Sequence, residues 1–361
     1  MSQTKLSDGA KKARPLKLSA AKAWRTYLGG SMIDALHGVE GTEDTHFPEE
    51  WIMSVTAARN AGREHIQNEG MSVEENTGKF LKELIEECPE KMLGKAHFNK
   101  YGATTGVLIK LIDSSERLSI QVHPNKEMAK QWFHSDYGKT ECWHILGGRE
   151  IDGEKPCIYF GFKEGITKEY WKKVFDEQDI AKMLDCLHKI EVTPGDTWLI
   201  KGGVPHAIGA GCFLMEIQEP TDYTIRTERS TPSGFQIADS MCHQGIGFDN
   251  MFECFSYDGK TEEEIRKEFC ISRNGNVLVG YDSTNCFQLE SIDVNSELDV
   301  KPKEVFSGIY ILEGNGSLES DGEFWKIKKG DQFFIPANTS YMLKSKEGLR
   351  AARYFGPAEY V

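Results

Sequence analysis

The sequence predicts a mainly β protein in which one β-unit is used twice, with a helical insertion in the first copy. Three observations carry this. From Lys189 onward, short apolar runs at strand spacing alternate with glycine turns. A Gly-Asp turn leading into an apolar run occurs twice, in PGDTWLIKGGVPHAI from Pro194 and in KGDQFFIPANTSYML from Lys329, at a shift of 135 residues. Upstream, ILGG from Ile145 matches ILEG from Ile311 at a shift of 166. The two shifts differ by 31 residues, and an amphipathic helix over Thr167 to Leu187 accounts for most of that difference.

The elements follow in order. Residues 1 to about 23 read as a frayed polar start, basic and without the apolar core of a secretory signal. Glu50 to Val55 reads as a strand. Ser72 to Cys88 reads as a helix, with Ser72 and Glu75 as its capping box, Phe80, Leu81, Leu84 and Ile85 as its stripe, and Pro89 as its stop. Val107 to Leu111 and Leu118 to His123 are strand-like, Asn125 to Phe133 is a short helix, and Thr140 to Leu146 and Cys157 to Phe162 are strands. In the helix over Thr167 to Leu187, Tyr170, Trp171, Val174, Ile180, Met183, Leu184 and Leu187 form the apolar face. Strands follow at Lys189–Val192, Thr197–Ile200, Phe213–Gln218 and Thr224–Thr227. Thr261 and Glu264 cap one more short helix, and Val277 to Tyr354 alternates strands with glycine turns. The expected division is a first domain over 1–250, including the helical segments near 72–88 and 167–187, and a second over 251–361.

The 361 residues carry a net charge of −13, with 39% hydrophobic and 11% aromatic side chains. That composition suits a globular chain, and its acidity excludes nucleic acid as a main partner, because phosphate backbones need a basic face. No apolar run approaches the length of a membrane span. The nine cysteines form no C-x-x-C pair, which argues against a disulfide framework or thiolate zinc and for reduced thiols in the cytoplasm.

The chemistry concentrates in LSIQVHPNKEMAKQWFHSDYGKTECWHILGG, from Leu118 to Gly148. Residues two apart on a strand point the same way, so Gln121 and His123 project together and Glu141 shares a face with Trp143 and Ile145. His144 points to the opposite face. His206, in KGGVPHAIG, is the natural fourth member. Any one of these could be an ordinary polar residue at a strand end. Four in a repeat-compatible arrangement make a metal shell, and imidazole with carboxylate suits Zn2+ as well as Fe2+, Mn2+ or Co2+. Gln121 is the unusual ligand, with a role as a hydrogen-bonded wall residue as its alternative. The second copy has Ser307 and Tyr341 where the first has Glu141 and His206, so no metal is expected there. Lys126, Lys139 and Arg226 lie close in sequence to these ligands. Arg226 shares a strand face with Thr224, whereas Arg229 falls past the strand. Cations converging on a metal pocket in so acidic a chain would select an anion such as a sugar phosphate.

LSIQVHPNK, followed by GKTECW and later PHAI, resembles type I mannose-6-phosphate isomerase. The early WRTYLGG and EEWIMS segments and the Arg226 region extend the similarity over most of the chain after about residue 20. The resemblance implies a cupin fold of β-jelly-roll barrels and one Zn2+ per chain, held by Gln121, His123, Glu141 and His206. It also implies Arg226, in TDYTIR, as the catalytic arginine and Lys126 as a substrate contact; Lys139 joins them as a substrate-binding cation. Where the family's longer members continue RAGxTPK after this arginine, the chain reads Arg226-Thr227-Glu228-Arg229-Ser230-Thr231-Pro232. The expected activity is interconversion of mannose 6-phosphate and fructose 6-phosphate through an enediol(ate), with Lys126 as the base if burial and the metal depress its pKa. A non-catalytic cupin that binds sugar phosphate and a cupin oxidoreductase using Fe2+ and dioxygen keep the same shell. The cations favour the isomerase over the oxidoreductase.

Overall fold

The structure is a computed structural model that describes residues 14–60 and 62–358. Its strands form sheets of six, five and nine. The six-stranded sheet runs in space Ala21–Ala23, Glu49–Ile52, Leu108–Asp113, Cys212–Gln218, Glu141–Gly148, Thr197–Ile200. The five-stranded sheet runs Ile225–Arg226, Gln121–Val122, His206–Ile208, Cys157–Phe162, Leu187–Glu191. Side chains from both meet in one core that includes Trp143, Ile145, Ile158, Phe160, Trp198, Ile208 and Leu214. Trp143, Trp198 and Phe160 are fully buried, and each such side chain contributes on the order of 2–3 kcal/mol through area removed from water. The alternation read from sequence holds here: Trp143 and Ile145 turn into this core, and Cys142 turns away into the next.

The C-terminal strands repeat the same order. Gln288–Val294, Leu349–Phe355, the first part of Ser307–Ser320 and Gln332–Ile335 follow one another as Leu108–Asp113, Cys212–Gln218, Glu141–Gly148 and Thr197–Ile200 do. The registers agree as well. Glu141 lies opposite Ile200, and Ser307 opposite Ile335. Around the Gly-Asp turns the backbone bonds are the same: Ile145 N–H donates to Asp196 O and Gly195 N–H to Ile145 O, while Ile311 N–H donates to Asp331 O and Gly330 N–H to Ile311 O, all at 2.8–2.9 Å. Gly195 and Gly330 sit at φ of 100° and 89°, a conformation that side chains with a Cβ resist, which is why both turns use glycine. His206 pairs with Gln121, and Tyr341 with Val300.

One pairing is repeated with its charges reversed. Lys110 faces Glu216 in register and donates to it at 2.9 Å. In the C-terminal sheet Glu290 faces Arg353, 3.8 Å apart. The outer faces of the six- and nine-stranded sheets pack together through Ile109, Leu111, Met215, Leu289, Tyr310, Phe334 and Tyr354.

Several boundaries differ from the sequence reading. Residues 1–13 lie outside the described residues, but Leu16–Leu18 and Ala21–Ala23 are strands rather than frayed chain. Leu16–Leu18 pairs with Gln332–Ile335, so the N-terminal segment joins the C-terminal sheet. The helix expected from Ser72 begins at Leu81, because Ser72 Oγ accepts from Ser54 N–H and Val73 bridges Phe80. The helix ends at Glu87 with Cys88 as its cap, directly before Pro89 as read, and Pro89 then opens the next helix, Pro89–Leu93, at a first-turn position where its missing N–H costs nothing. The helix expected over Thr167 to Leu187 is two, Lys168–Glu177 and Ile180–Asp185. Gln178, at φ 49°, ends the first and Asp179 caps the second. They lie between Cys157–Phe162 and Leu187–Glu191, where the C-terminal half has only a tight turn between Ser307–Ser320 and Glu323–Lys328. The Thr261–Glu264 capping box forms as read. All nine cysteines are free. Among the described residues no helix is long and apolar enough to cross a membrane.

Candidate metal centre

Three of the four sequence-derived ligands, His123, Glu141 and His206, bring one ligand atom each within 4.8 Å of the others. Each arrives from a different place in the five- and six-stranded sheets: His123 just past Gln121–Val122, Glu141 at the start of its strand, His206 at the start of its own. All three are buried to within 1%. The His123 Nδ1–H donates to Tyr223 O and the His206 Nδ1–H to Val204 O, both at 2.8 Å. A carbonyl only accepts, so each Nε2 carries a lone pair and both lone pairs point inward. The two Nε2 atoms lie 3.1 Å apart, and they stand 3.2 and 3.4 Å from the Glu141 carboxylate. Among the described residues neither Glu141 oxygen has a hydrogen-bond partner.

Lone pairs facing lone pairs with no proton between them are repulsive unless a cation lies at their centre. Four tetrahedral ligands bonded at about 2.1 Å stand roughly 3.4 Å from one another, which matches these separations. Gln121 is close as well: one end of its amide lies 3.3 Å from His206 Nε2. That end is assigned as nitrogen. Turning the amide over, a change of no steric consequence, would put its oxygen there.

The electrostatics fit the same picture. Burial and the neighbouring Lys139 push the His123 imidazole down to about 3, and burial lowers His206, so both rings stay neutral and free to ligate. Burial alone would raise the Glu141 carboxyl, but the neighbouring Lys139 ammonium opposes it, and the carboxyl lies well below the usual range. Lys139 Nζ lies 3.3 Å from Glu141, 3.2 Å from His123 Nε2 and 3.5 Å from Thr224 Oγ1. It is therefore part of the cluster wall rather than a surface charge.

Arg226 pairs in register with Gln121 and lines a small cavity together with Gln121 and Lys139. Burial lowers its pKa, and among the described residues it donates only to carbonyls, Thr224 O at 3.2 Å and Met241 O at 3.4 Å. Lys126 is placed differently. It opens the helix Lys126–Phe133, is half exposed, lies 3.6 Å from Glu219 and lines neither the small cavity nor the larger one outside it. Arg229 pairs with Asp239 instead of turning toward the cluster. His144 faces away, its ring 2.9 Å from Thr197 Oγ1.

A buried ionic network that the sequence reading did not single out lines the same small cavity. Arg25 joins Glu49 at 2.8 Å and Asp222 at 3.1 Å. Tyr27 and Trp51 donate to Glu49, and Trp143 donates to Glu216, which also holds Lys110. Burial would raise Glu49, but Arg25 and Lys110 bring it down to about 2, and for Asp222 burial likewise pulls upward while Arg25 outweighs it and holds the carboxyl depressed. Glu216 is raised, by burial first and then by Glu141. The signal was present as a lone charge in an apolar run, Lys110 in VLIKLI and Glu216 in FLMEIQ. Such residues are rarely buried unless paired.

Known proteins resemble this chain in sequence and fold. Residues 45–141 match the model of the phosphomannose isomerase type I catalytic domain, and 281–346 match the mannose-6-phosphate isomerase cupin domain. The mannose-6-phosphate isomerase of Streptococcus mutans is 33% identical over 241 residues, 66% of this chain and 70% of that one. Mannose-6-phosphate isomerase ManA of Bacillus subtilis is 25% identical over 269 residues, 68% and 74% of the two chains. The crystal structure of a Bacillus subtilis mannose 6-phosphate isomerase superposes with a TM-score of 0.69 at 22% identity, over 94% of this chain and 99% of that one. The chain is thus a cupin-containing, mainly β member of the type I mannose-6-phosphate isomerase family.

Proposed function

We propose that this chain interconverts mannose 6-phosphate and fructose 6-phosphate at one Zn2+ held by Gln121, His123, Glu141 and His206, in the first of two cupin barrels. The observation that carries the reading is the pair of buried Nε2 lone pairs turned on a carboxylate with no hydrogen bond of its own. Family membership supplies the substrate. The repeated strand order supports the two-barrel description, with the helices Lys168–Glu177 and Ile180–Asp185 as the insertion. In the second barrel Val300, Ser307 and Tyr341 take the register positions of Gln121, Glu141 and His206 and leave it without a shell.

The reaction moves a proton between C1 and C2 through an enediol(ate). Bound zinc would supply Lewis acidity toward the sugar oxygens. The chain does the rest. Lys139 places a fixed positive charge beside the ligands, where negative charge develops on oxygen. Arg226, half-buried and without a carboxylate partner among the described residues, faces the anionic substrate. Arg25 holds Asp222 and Glu49 as ionised partners, which keeps the cavity wall rigid before substrate arrives. A proton carrier must reach the C–H, which favours groups lining the cavity over the half-exposed Lys126. The test is a coupled assay on mannose 6-phosphate with protein stripped by EDTA and then reloaded with zinc. Turnover should vanish and return. Full activity in metal-free protein, or none in zinc-loaded protein, overturns the proposal.

A further inference from the structure

The wall outside the metal cluster holds more positive charge than its own carboxylates use. A cavity of about 770 Å3 opens outward from Asp222 and Arg226, and Arg25, Arg59 and Arg63 line it too. Two of these four guanidiniums are already engaged. Arg25 is taken by Glu49 and Asp222. Arg63 is held by Glu69 at 2.7 Å and lies over the Trp24 ring. Among the described residues Arg226 reaches only carbonyl oxygens. Arg59 has no side-chain hydrogen bond or ion pair among the described residues, although its backbone is fixed.

The fixing matters, because a free surface arginine would carry no argument. Arg59 N–H donates to Asp222 Oδ2 at 3.3 Å. On one side Ala58 N–H donates to Glu69 O at 2.9 Å. On the other, Asn60 accepts from Arg25 Nη1 at 3.3 Å and donates to Glu69 Oε2 at 3.1 Å. The turn is therefore pinned to the Asp222–Arg25 pair, four residues before Arg226 in the same TDYTIR segment. One unspent guanidinium stands at the inner end of the cavity and one at its rim. Planar forks of this kind bind phosphate oxygens in pairs, and in a chain of net charge −13 they mark where an anion is admitted.

We propose that Arg59 is a substrate-binding residue that holds the phosphate end of the sugar across the cavity from Arg226, and that it sets the preference for phosphorylated over neutral sugars. The inference rests on the isomerase reading for its substrate but not for its anion. Arg59→Ala should raise KM for mannose 6-phosphate about 10-fold or more, the loss of one charge-assisted contact, with the loss falling on KM rather than kcat. Inorganic phosphate, used as a competitive inhibitor, should weaken by the same factor, and Arg59→Lys should recover part of both. The side chain is exposed, so the variant should melt within about 2 °C of wild type. If KM and phosphate inhibition are both unchanged in Arg59→Ala, the proposal fails while the isomerase stands. If wild type shows no turnover, calorimetric titration with inorganic phosphate decides separately: binding lost in Arg59→Ala supports the anion site, and equal or absent binding in both proteins overturns it.

Discussion

Replacing Glu141 with Gln should abolish the protein's thermal response to zinc. The expectation follows from the arrangement of the cluster. The two Nε2 lone pairs and the Glu141 carboxylate face each other at 3.1–3.4 Å, and among the described residues Lys139 lies against the carboxylate and offsets its charge. An ion that enters this centre binds the folded state alone, since the unfolded chain separates the three residues. At a hundredfold excess over its dissociation constant, zinc then adds about 2.7 kcal/mol. At roughly 2 °C per kcal/mol for a chain of this length, the melting midpoint should rise by about 5 °C. Glu141→Gln removes the only negative charge of the shell and leaves Lys139 Nζ beside the ion uncompensated, so the rise should fall below about 1 °C. Differential scanning calorimetry in EDTA and in zinc, on both proteins, reads the difference directly. Because each protein is compared with itself, any cost of the substitution to the metal-free fold cancels. Equal wild-type midpoints in EDTA and zinc, or a full response in Glu141→Gln, would refute the reasoning.

Other expectations follow from buried groups. Lys110→Met strands Glu216 in the core and should cost about 3 kcal/mol in urea unfolding, whereas adding Glu216→Leu should restore most of it. Burial, helped by Arg273 and Arg350, pushes the His144 imidazole down from 6.5 to about 4. The unfolded chain then takes up a proton first on acidification, so stability should drain away as pH falls from about 6.5 to 4, by about 3 kcal/mol in full, and His144→Gln should flatten that stretch of the profile. At Gly308 an added Cβ would lie 1.9 Å from the Tyr354 ring and 2.8 Å from Met53 Sδ, so Gly308→Ala should lose about 3 kcal/mol or yield insoluble protein on expression.

The strand periodicity was legible wherever one face is buried. Cys157–Phe162 and Thr197–Ile200 match the sequence reading at both ends, and the alternation that set Glu141 with Trp143 and against His144 is the one observed. Helix ends were less legible, because a capping residue is recognised by composition while its hydrogen bond is chosen by tertiary neighbours. Ser72 is the clear case, its hydroxyl taken by Ser54 rather than by a helix start. The clustering of His123, Glu141 and His206 could be read because each stands at a strand end in a repeat-compatible arrangement, with Gln121 two residues before His123 on the same extended segment and supported by the family resemblance. For the Arg25, Glu49, Lys110 and Glu216 network the sequence offered only lone charges in apolar runs, Lys110 and Glu216, and not their pairing, because each partner lies on a segment distant in sequence. Lys126 was singled out by its place next to the ligands and by the family resemblance; it opens the helix Lys126–Phe133, half exposed, 3.6 Å from Glu219.

The reversed polarity of the Lys110–Glu216 and Glu290–Arg353 pairs bears on how a chain that uses one strand order twice avoids confusing the two sets of strands. Were Leu108–Asp113 to dock during folding in the seat that belongs to Gln288–Val294, Lys110 would meet Arg353; the opposite exchange would set Glu290 against Glu216. Both mispairings trap like charges in a dry interior, so each half rejects the other's strand by electrostatics even though their hydrophobic patterns would accept it.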